Sequence, residues 1–271
     1  MDQICISVST YRKNSALKGW LGSLPNFGNI KVAHVADDNN GEAQLIAEEF
    51  QLQHEQGNYP FPVYYSTGEN KGIAKNKNRG IKFFLESPEA ADCKWLVLAD
   101  DDISFFKSTF GEPMLGDLLI KAAEFSNLRH LTGFLGGDFG KVLEDGSWIR
   151  SEPFFEQFPP IAENKYVVHT FGGTQGILLF FERGLVEELG YFWDFPGRYG
   201  FEHAEYSMRA NRIEGRCPEL YPMLKNCGRY FRCQGIPNNY EAKPQENAKE
   251  FEKRTNLIYN GINLKVKNSG V

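Results

Sequence analysis

The chain has 271 residues, 41% of them hydrophobic and 24% charged, with a formal net charge of −5. That profile fits a globular protein with room for a substantial core and argues against a nucleic-acid partner. No run approaches the ~20 apolar residues that cross a bilayer, and the five cysteines are scattered without CxxC spacing. The expectation is a cytoplasmic protein with free thiols, no transmembrane segment and at most peripheral membrane contact.

In chain order, residues 4–10 (ICISVST) predict a strand and 14–24 an amphipathic helix capped by Asn14 or Ser15. Strands follow at 30–36, 61–66 and 94–99, separated by helices at 42–54 and 72–86. The nearly continuous apolar runs VAHVA and WLVLA suit strands covered on both faces, and the strand–helix alternation implies βαβ units and a mostly parallel sheet. Beyond Asp102 the rhythm changes. A helix is expected at 115–125, a hairpin within 130–149 and strands at 165–170 and 176–181. Helices are expected at 182–189, at 202–214 and after Pro244. No repeat or linker divides the chain, so it reads as one domain, 1–271. Its parts would be a nucleotide-binding half (1–103), a mixed second half (104–243) and a C-terminal helix and tail (244–271).

Ligands of open parallel sheets sit beyond the carboxyl ends of the strands. Four polar clusters fall there: Thr10-Tyr11-Arg12, Asp37-Asp38-Asn39-Asn40, the stretch from Gly68 to Gly72, and Asp100-Asp101-Asp102. Three adjacent carboxylates repel one another, and a hard divalent cation relieves that repulsion; Mg²⁺ and Mn²⁺ accept one or two carboxylates and complete their shells with phosphate and water. In an extended segment Asp100 and Asp102 face the same way. The stretch GENKGIAKNKNRGIKFF brings Lys71, Lys75, Lys77 and Arg79 to a helix start, a setting that favours phosphate. Walker and GxGxxG loops are absent. In YGFEHAEYSMR, a helix would put Glu202, Glu205 and Arg209 near one face.

Together STYRKN, ADDNNGE, ENKGIAKNKNRGIK and LADDDI resemble the nucleotide-sugar half of GT-A glycosyltransferases of the family 2 type. The long segment from FGGTQGILLFF to FEHAEYSMR resembles that family's acceptor side, and the ordered set spans about residues 4–215. The resemblance implies an α/β fold, Rossmann-like, with a mostly parallel central sheet flanked by helices and a mixed C-terminal half. It implies an inverting, metal-dependent transfer of a hexosyl or N-acetylhexosaminyl unit from a UDP-linked donor to a glycan, lipid-linked or other hydroxyl acceptor, as in polysaccharide synthesis.

Carried over by position, Thr10, Tyr11 and Arg12 line the base pocket, and Asp38 accepts from the base. Lys75 and Arg79 lie near the diphosphate or ribose. Asp100 and Asp101 contact ribose or sugar, and Asp102 with Asp100 holds Mn²⁺ or Mg²⁺ in a DxD-type site. Gly172, Gly173 and Trp193 belong to the acceptor side, and glycines 197 and 200 would let the loop between them close as a lid. His169 is a further candidate metal ligand. The family usually has Glu-Asp where this chain has Glu202-His203, so either Glu202 or His203 is the base, with Glu202 favoured. Two other classes stay open: a non-catalytic nucleotide-sugar- or glycan-binding module, and a sugar nucleotidyltransferase. The latter would normally carry a glycine-rich N-terminal loop that STYRKNSALKG lacks.

Overall fold

A computed structural model describes residues 2–11, 14–38, 41–69, 71–109, 111–133, 140–142, 148–150, 158–172, 176–198, 200–233 and 245–268. The first half alternates β1 (Ile4–Thr10), α1 (Asn14–Ser23), β2 (Ile30–Asp37), α2 (Gly41–Glu55), β3 (Val63–Thr67), α3 (Ile73–Glu86) and β4 (Trp95–Asp100). Then come β5 (Ile103–Phe105), α4 (Leu115–Ser126), β6 (His130–Thr132), β7 (Gly140–Val142), β8 (Trp148–Arg150), β9 (Pro160–Glu163) and β10 (Val167–Phe171). The chain continues through β11 (Leu178–Glu182), α5 (Arg183–Leu189), α6 (Glu202–Ile213), β12 (Leu220–Leu224), β13 (Phe231–Cys233) and α7 (Gln245–Tyr259).

Nine strands form one sheet in the order β3-β2-β1-β4-β11-β6-β12-β10-β9. The ladders among β1 to β4 are all parallel. From β11 outward the sheet is mixed, with β11 antiparallel to both β4 and β6 and β12 parallel to β6. The unbroken apolar runs have the expected cause, because alternate side chains feed two separate cores. Ile4, Ile6, Val8, Val97 and Ala99 point to the layer built by α1, α2 and α4. Cys5, Leu96, Leu98, Leu179 and Phe181 point to the layer built by α3, α5 and α6. Each such side chain, fully buried, contributes ~1.5–3 kcal/mol. This three-layer arrangement puts α3 of the first half and α6 of the second on the same side of the sheet, which positions the site.

The structure corrects the second half in detail. The hairpin lies within 140–150, where Gly140 pairs with Arg150; β6 instead joins the main sheet between β11 and β12. Strands β5, β9, β12 and β13 had no counterpart in the sequence reading. They are three to five residues long; β9 pairs with the adjacent β10, and the other three depend on partners distant in the chain, as when Ile103 pairs with Cys233. Among the described residues no helix is long and apolar enough to cross a membrane.

Candidate active site

Parallel register brings the polar strand ends to one edge. Ser9 pairs with Asp100, Thr10 with Asp37 and Asp37 with Thr67. The middle carboxylate of the triplet turns inward: Thr10 Oγ1 donates to Asp101 Oδ2 at 2.7 Å, and both residues are buried. Asp101 therefore ties the end of β4 to the end of β1 instead of facing a ligand, which departs from the donor contact expected of it. Tyr11 is half-buried beside this tie. Arg12 and Gly173, both expected at the site, lie outside the described residues.

Asp38 is almost fully buried. Its Oδ1 accepts the Lys71 N–H at 3.1 Å and its Oδ2 the Gly72 N–H at 3.0 Å, with Arg79 Nη1 3.5 Å from Oδ1. Arg79 in turn donates to the Asp37 carbonyl at 3.1 Å and to Asn76 Oδ1 at 2.9 Å. Both residues thus shape the wall at the ends of β2 and β3, bracing the turn into α3. A cleft of about 530 Å³ opens beside this wall, lined by Tyr65, Thr67, Glu69, Lys71, Arg79 and Lys82 among others. Lys75 Nζ reaches Asp194 at 3.0 Å, on the loop before α6.

Lys77, one turn along α3, was expected with Lys71, Lys75 and Arg79 among the basic groups at a helix start that favours phosphate. It is 1% exposed. Its Nζ stands 3.4 Å from Asp100 Oδ1 and 4.0 Å from Glu202 Oε1, and it donates to the Gly176 carbonyl at 3.3 Å. One buried ammonium therefore joins the end of β4 to the first residue of α6. This brings Asp100 of the triplet and Glu202 of the Glu-His pair around one buried ammonium, in a single pocket of charge.

Glu202 is buried at the α6 N-terminus, where the helix dipole favours a negative charge. Its Oε2 accepts the Gly200 N–H at 3.0 Å, and its Oε1 lies 3.4 Å from His203 Nδ1. Burial by itself would raise the Glu202 carboxyl; the hydrogen bond and charge of His203, the Lys77 ammonium and the backbone outweigh it and hold the group at about 2. The part of that stabilisation that comes from the charge of His203 is present only while the imidazole is protonated. The His203 side chain keeps 23% of its surface exposed and packs on Gly176, where an added Cβ would stand 2.7 Å from the ring. Phe201, just before Glu202, adopts a left-handed φ of 70°.

Glu205 does not face this pocket. It is fully buried between Arg209 and Arg254. On the acceptor side, Gly172 takes φ +78° and donates to the Glu219 carbonyl at 3.1 Å. Trp193 is half-buried, with Nε1 donating to Glu250 Oε1 at 3.1 Å and the Arg254 guanidinium 4.0 Å over its ring. That ring face is taken, and an acceptor sugar would have to use the other. His169 sits on β10, four strand positions from β4 and so about 19 Å across the sheet, too far to share a cation with the triplet. Gly72, at φ +98°, lets the α3 turn touch the Arg198 backbone, which an added Cβ would meet at 2.6 Å. Gly197 is likewise held close, so the loop from 192 to 201 is pinned where a lid was expected.

Among the described residues no group of three or more His, Cys, Asp or Glu side chains is placed to hold a metal. A Mg²⁺- or Mn²⁺-type site needs fewer, because diphosphate and water complete its shell. Asp100 Oδ1 is buried without a hydrogen-bond partner, its charge offset by Lys77, and one Asp102 carboxylate oxygen is buried as well. Two hard oxygen donors at the strand end fit such an ion.

No protein-family model matches the chain. In structure it is similar to the mannosyltransferase PcManGT of Pyrobaculum calidifontis, solved in complex with GDP-Man and Mn²⁺. The TM-score is 0.56 at 12% identity, over 97% of this chain and 69% of that one. The chain has a GT-A-type glycosyltransferase fold. The same fold relates it to residues 1–349 of S. aureus TarS, with a TM-score of 0.53 at 14% identity, over 93% of this chain and 71% of that one. In sequence it is 26% identical over 238 residues to the uncharacterized glycosyltransferase R363 of Acanthamoeba polyphaga mimivirus, covering 84% of this chain and 79% of the relative.

Proposed function

We propose that this chain is an inverting glycosyltransferase, a single catalytic domain that moves a sugar from a UDP-linked donor to a hydroxyl of a glycan or lipid-linked acceptor. The observation that carries the reading is Lys77, which joins the strand-end Asp100 to Glu202 in one buried contact. The glycosyltransferase fold, the mimivirus relative and the nucleotides held by the two structural neighbours support it, UDP for TarS and GDP-Man for the Pyrobaculum enzyme.

In this reading the donor lies across the ends of β1 to β4. Thr10, Tyr11 and Asp38 meet the base, and Arg79 and Lys75 border the ribose and diphosphate. Asp100 and Asp102 would hold Mn²⁺ or Mg²⁺, whose charge offsets the negative charge gathering on the departing diphosphate. His203 takes the proton of the acceptor hydroxyl as that oxygen attacks the anomeric carbon from the face opposite the diphosphate. Glu202 stays ionised beside Nδ1, orients the ring and leaves Nε2 for the acceptor. The geometry thus favours His203 over Glu202 as base. Lys77 keeps the carboxylates of Asp100 and Glu202 from repelling one another before the donor arrives.

The test is nucleotide release from a panel of UDP-sugars and GDP-mannose, each with Mn²⁺, with Mg²⁺ and with chelator. One donor should be consumed, and Asp102→Ala should slow its turnover at least ~100-fold while the far-ultraviolet spectrum stays unchanged. If nucleotide binds but no donor is consumed with any acceptor, the non-catalytic binding module replaces this reading.

A further inference from the structure

Helix α7 belongs to no strand-end motif, yet it touches the loop that leads into Glu202 at several points. Asn247, on its first turn, is 1% exposed. Its Oδ1 accepts the Gly197 N–H at 2.6 Å, and its Nδ2 donates to the Gly200 carbonyl at 3.0 Å and the Gly197 carbonyl at 3.4 Å. The same Gly200 gives its N–H to Glu202 Oε2 at 3.0 Å. One side-chain amide therefore holds the carbonyl of the residue whose own N–H holds the carboxylate. Glycine at 197 makes this possible, since an added Cβ there would stand 2.7 Å from Asn247 Oδ1.

The neighbouring contacts fix the same loop. Phe251 of α7 stacks on Phe201 with ring centroids 4.6 Å apart, and Glu250 takes the Trp193 indole N–H. On the opposite side, α3 grips the loop through Asn78, whose amide bonds both the N–H and the carbonyl of Phe192, and through the Ile73 N–H on the Arg198 carbonyl. Loops are usually the mobile part of a site; this one is clamped between two helices. Catalytic geometry is sensitive at that scale, because a misplacement of ~1 Å in a reacting constellation costs on the order of 100-fold.

We propose that Asn247 is a positioning residue for the reaction: through Gly200 it sets Glu202 and, with it, His203, making the C-terminal helix part of the catalytic apparatus. This rests on the proposed function. The expectation is a loss confined to turnover, since the described hydrogen bonds of Asn247 go to Gly197 and Gly200.

The experiment uses the full chain with Asn247→Ala and with Asn247→Asp. The second is isosteric: it keeps the acceptor for Gly197 and removes the donor to Gly200, so it guards against a folding failure in the first. Donor turnover, donor KM and calorimetric binding of UDP and of GDP, each with Mn²⁺, are measured alongside amide hydrogen exchange. Both variants should lose about 10- to 100-fold in kcat, with nucleotide binding unchanged and faster exchange only around residues 197–205. Wild-type kcat in either folded variant, or nucleotide affinity that falls in step with kcat, overturns the role of Asn247 and leaves the proposed function standing. A wild-type chain that consumes no donor removes the proposed function itself and this role with it.

Discussion

Glu205 and Glu202 stand three residues apart on α6, both buried, in opposite surroundings. Glu205 receives Arg209 through Nε at 2.8 Å and Nη2 at 3.0 Å, and Arg254 through Nε at 3.1 Å and Nη2 at 2.7 Å. Glu202 has a single N–H at 3.0 Å, an imidazole at 3.4 Å and an ammonium at 4.0 Å. The first cluster holds its carboxylate through short guanidinium contacts that join α6 to α7, the geometry in which guanidinium excels, with Arg254 Nη1 alone left buried without a hydrogen bond among the described atoms of the three side chains. The second holds its charges at longer range around a lysine, with Asp100 Oδ1 lacking a hydrogen bond. A buried charge matched by forked partners is architecture; a buried charge matched loosely by a point cation has capacity left for a ligand.

Substitutions should pull these two cases apart. The largest effect is expected from Glu205→Ala, which leaves two buried guanidinium groups without their carboxylate. Losing one partner of such a cluster costs ~3–5 kcal/mol, to be read as a lower urea midpoint. Lys77→Met should do the reverse, lowering donor turnover ~100-fold, equivalent to about 2.7 kcal/mol of barrier, with a smaller loss in urea stability than Glu205→Ala. Equal stability losses in the two variants would erase the distinction drawn between the clusters.

A third buried group sharpens it from the neutral side. His34 bridges the hydroxyls of Ser7 and Ser66 at 2.9 Å each, and its ring stacks on Phe83. Burial first, then the Arg79 charge, press it down to about 3. The unfolded chain protonates this histidine below pH 6.5 while the folded chain does not. Stability should therefore fall as pH drops from about 6.5 toward 3, by up to ~1.4 kcal/mol per pH unit from this one proton. Between pH 6.5 and 5, His34→Gln should flatten the dependence of the urea midpoint on pH; an unchanged slope would mean that His34 is not kept neutral.

The parallel half was legible because its strands are covered on both faces. VAHVA and WLVLA leave no other period to choose, and Asp38 and the triplet follow directly at their ends. Lys77 was hidden by its company: in KNKNR every residue is polar, yet Asn76, Lys77, Asn78 and Arg79 are all buried. Composition reports that as a wet surface, and only the docking of the α6 loop shows otherwise. The short strands β5 and β13 escaped for a related reason, since neither has a period of its own and each exists by pairing with the other. Glycines 197 and 200 were rightly singled out, but in the fold they serve close approach to Asn247 and a positive φ of 103° at Gly200 instead of a hinge. The Glu202-His203 pair stood out as a departure from the resemblance; the hydrogen bonds on which the proposed division of labour rests come only from the fold.

The left-handed Phe201 at the head of α6 has one more implication. A side chain with a Cβ loses roughly 1–2 kcal/mol in that conformation, and here stacking against Phe251 helps to hold the benzyl group in place of the glycine the backbone prefers. The first turn of the helix is thus loaded like a cocked spring, with α7 as its catch. Sequence drift toward glycine at this position would relax the backbone and at the same time remove one of the grips of the C-terminal helix on this turn, so a more comfortable chain would be a less well-aimed one.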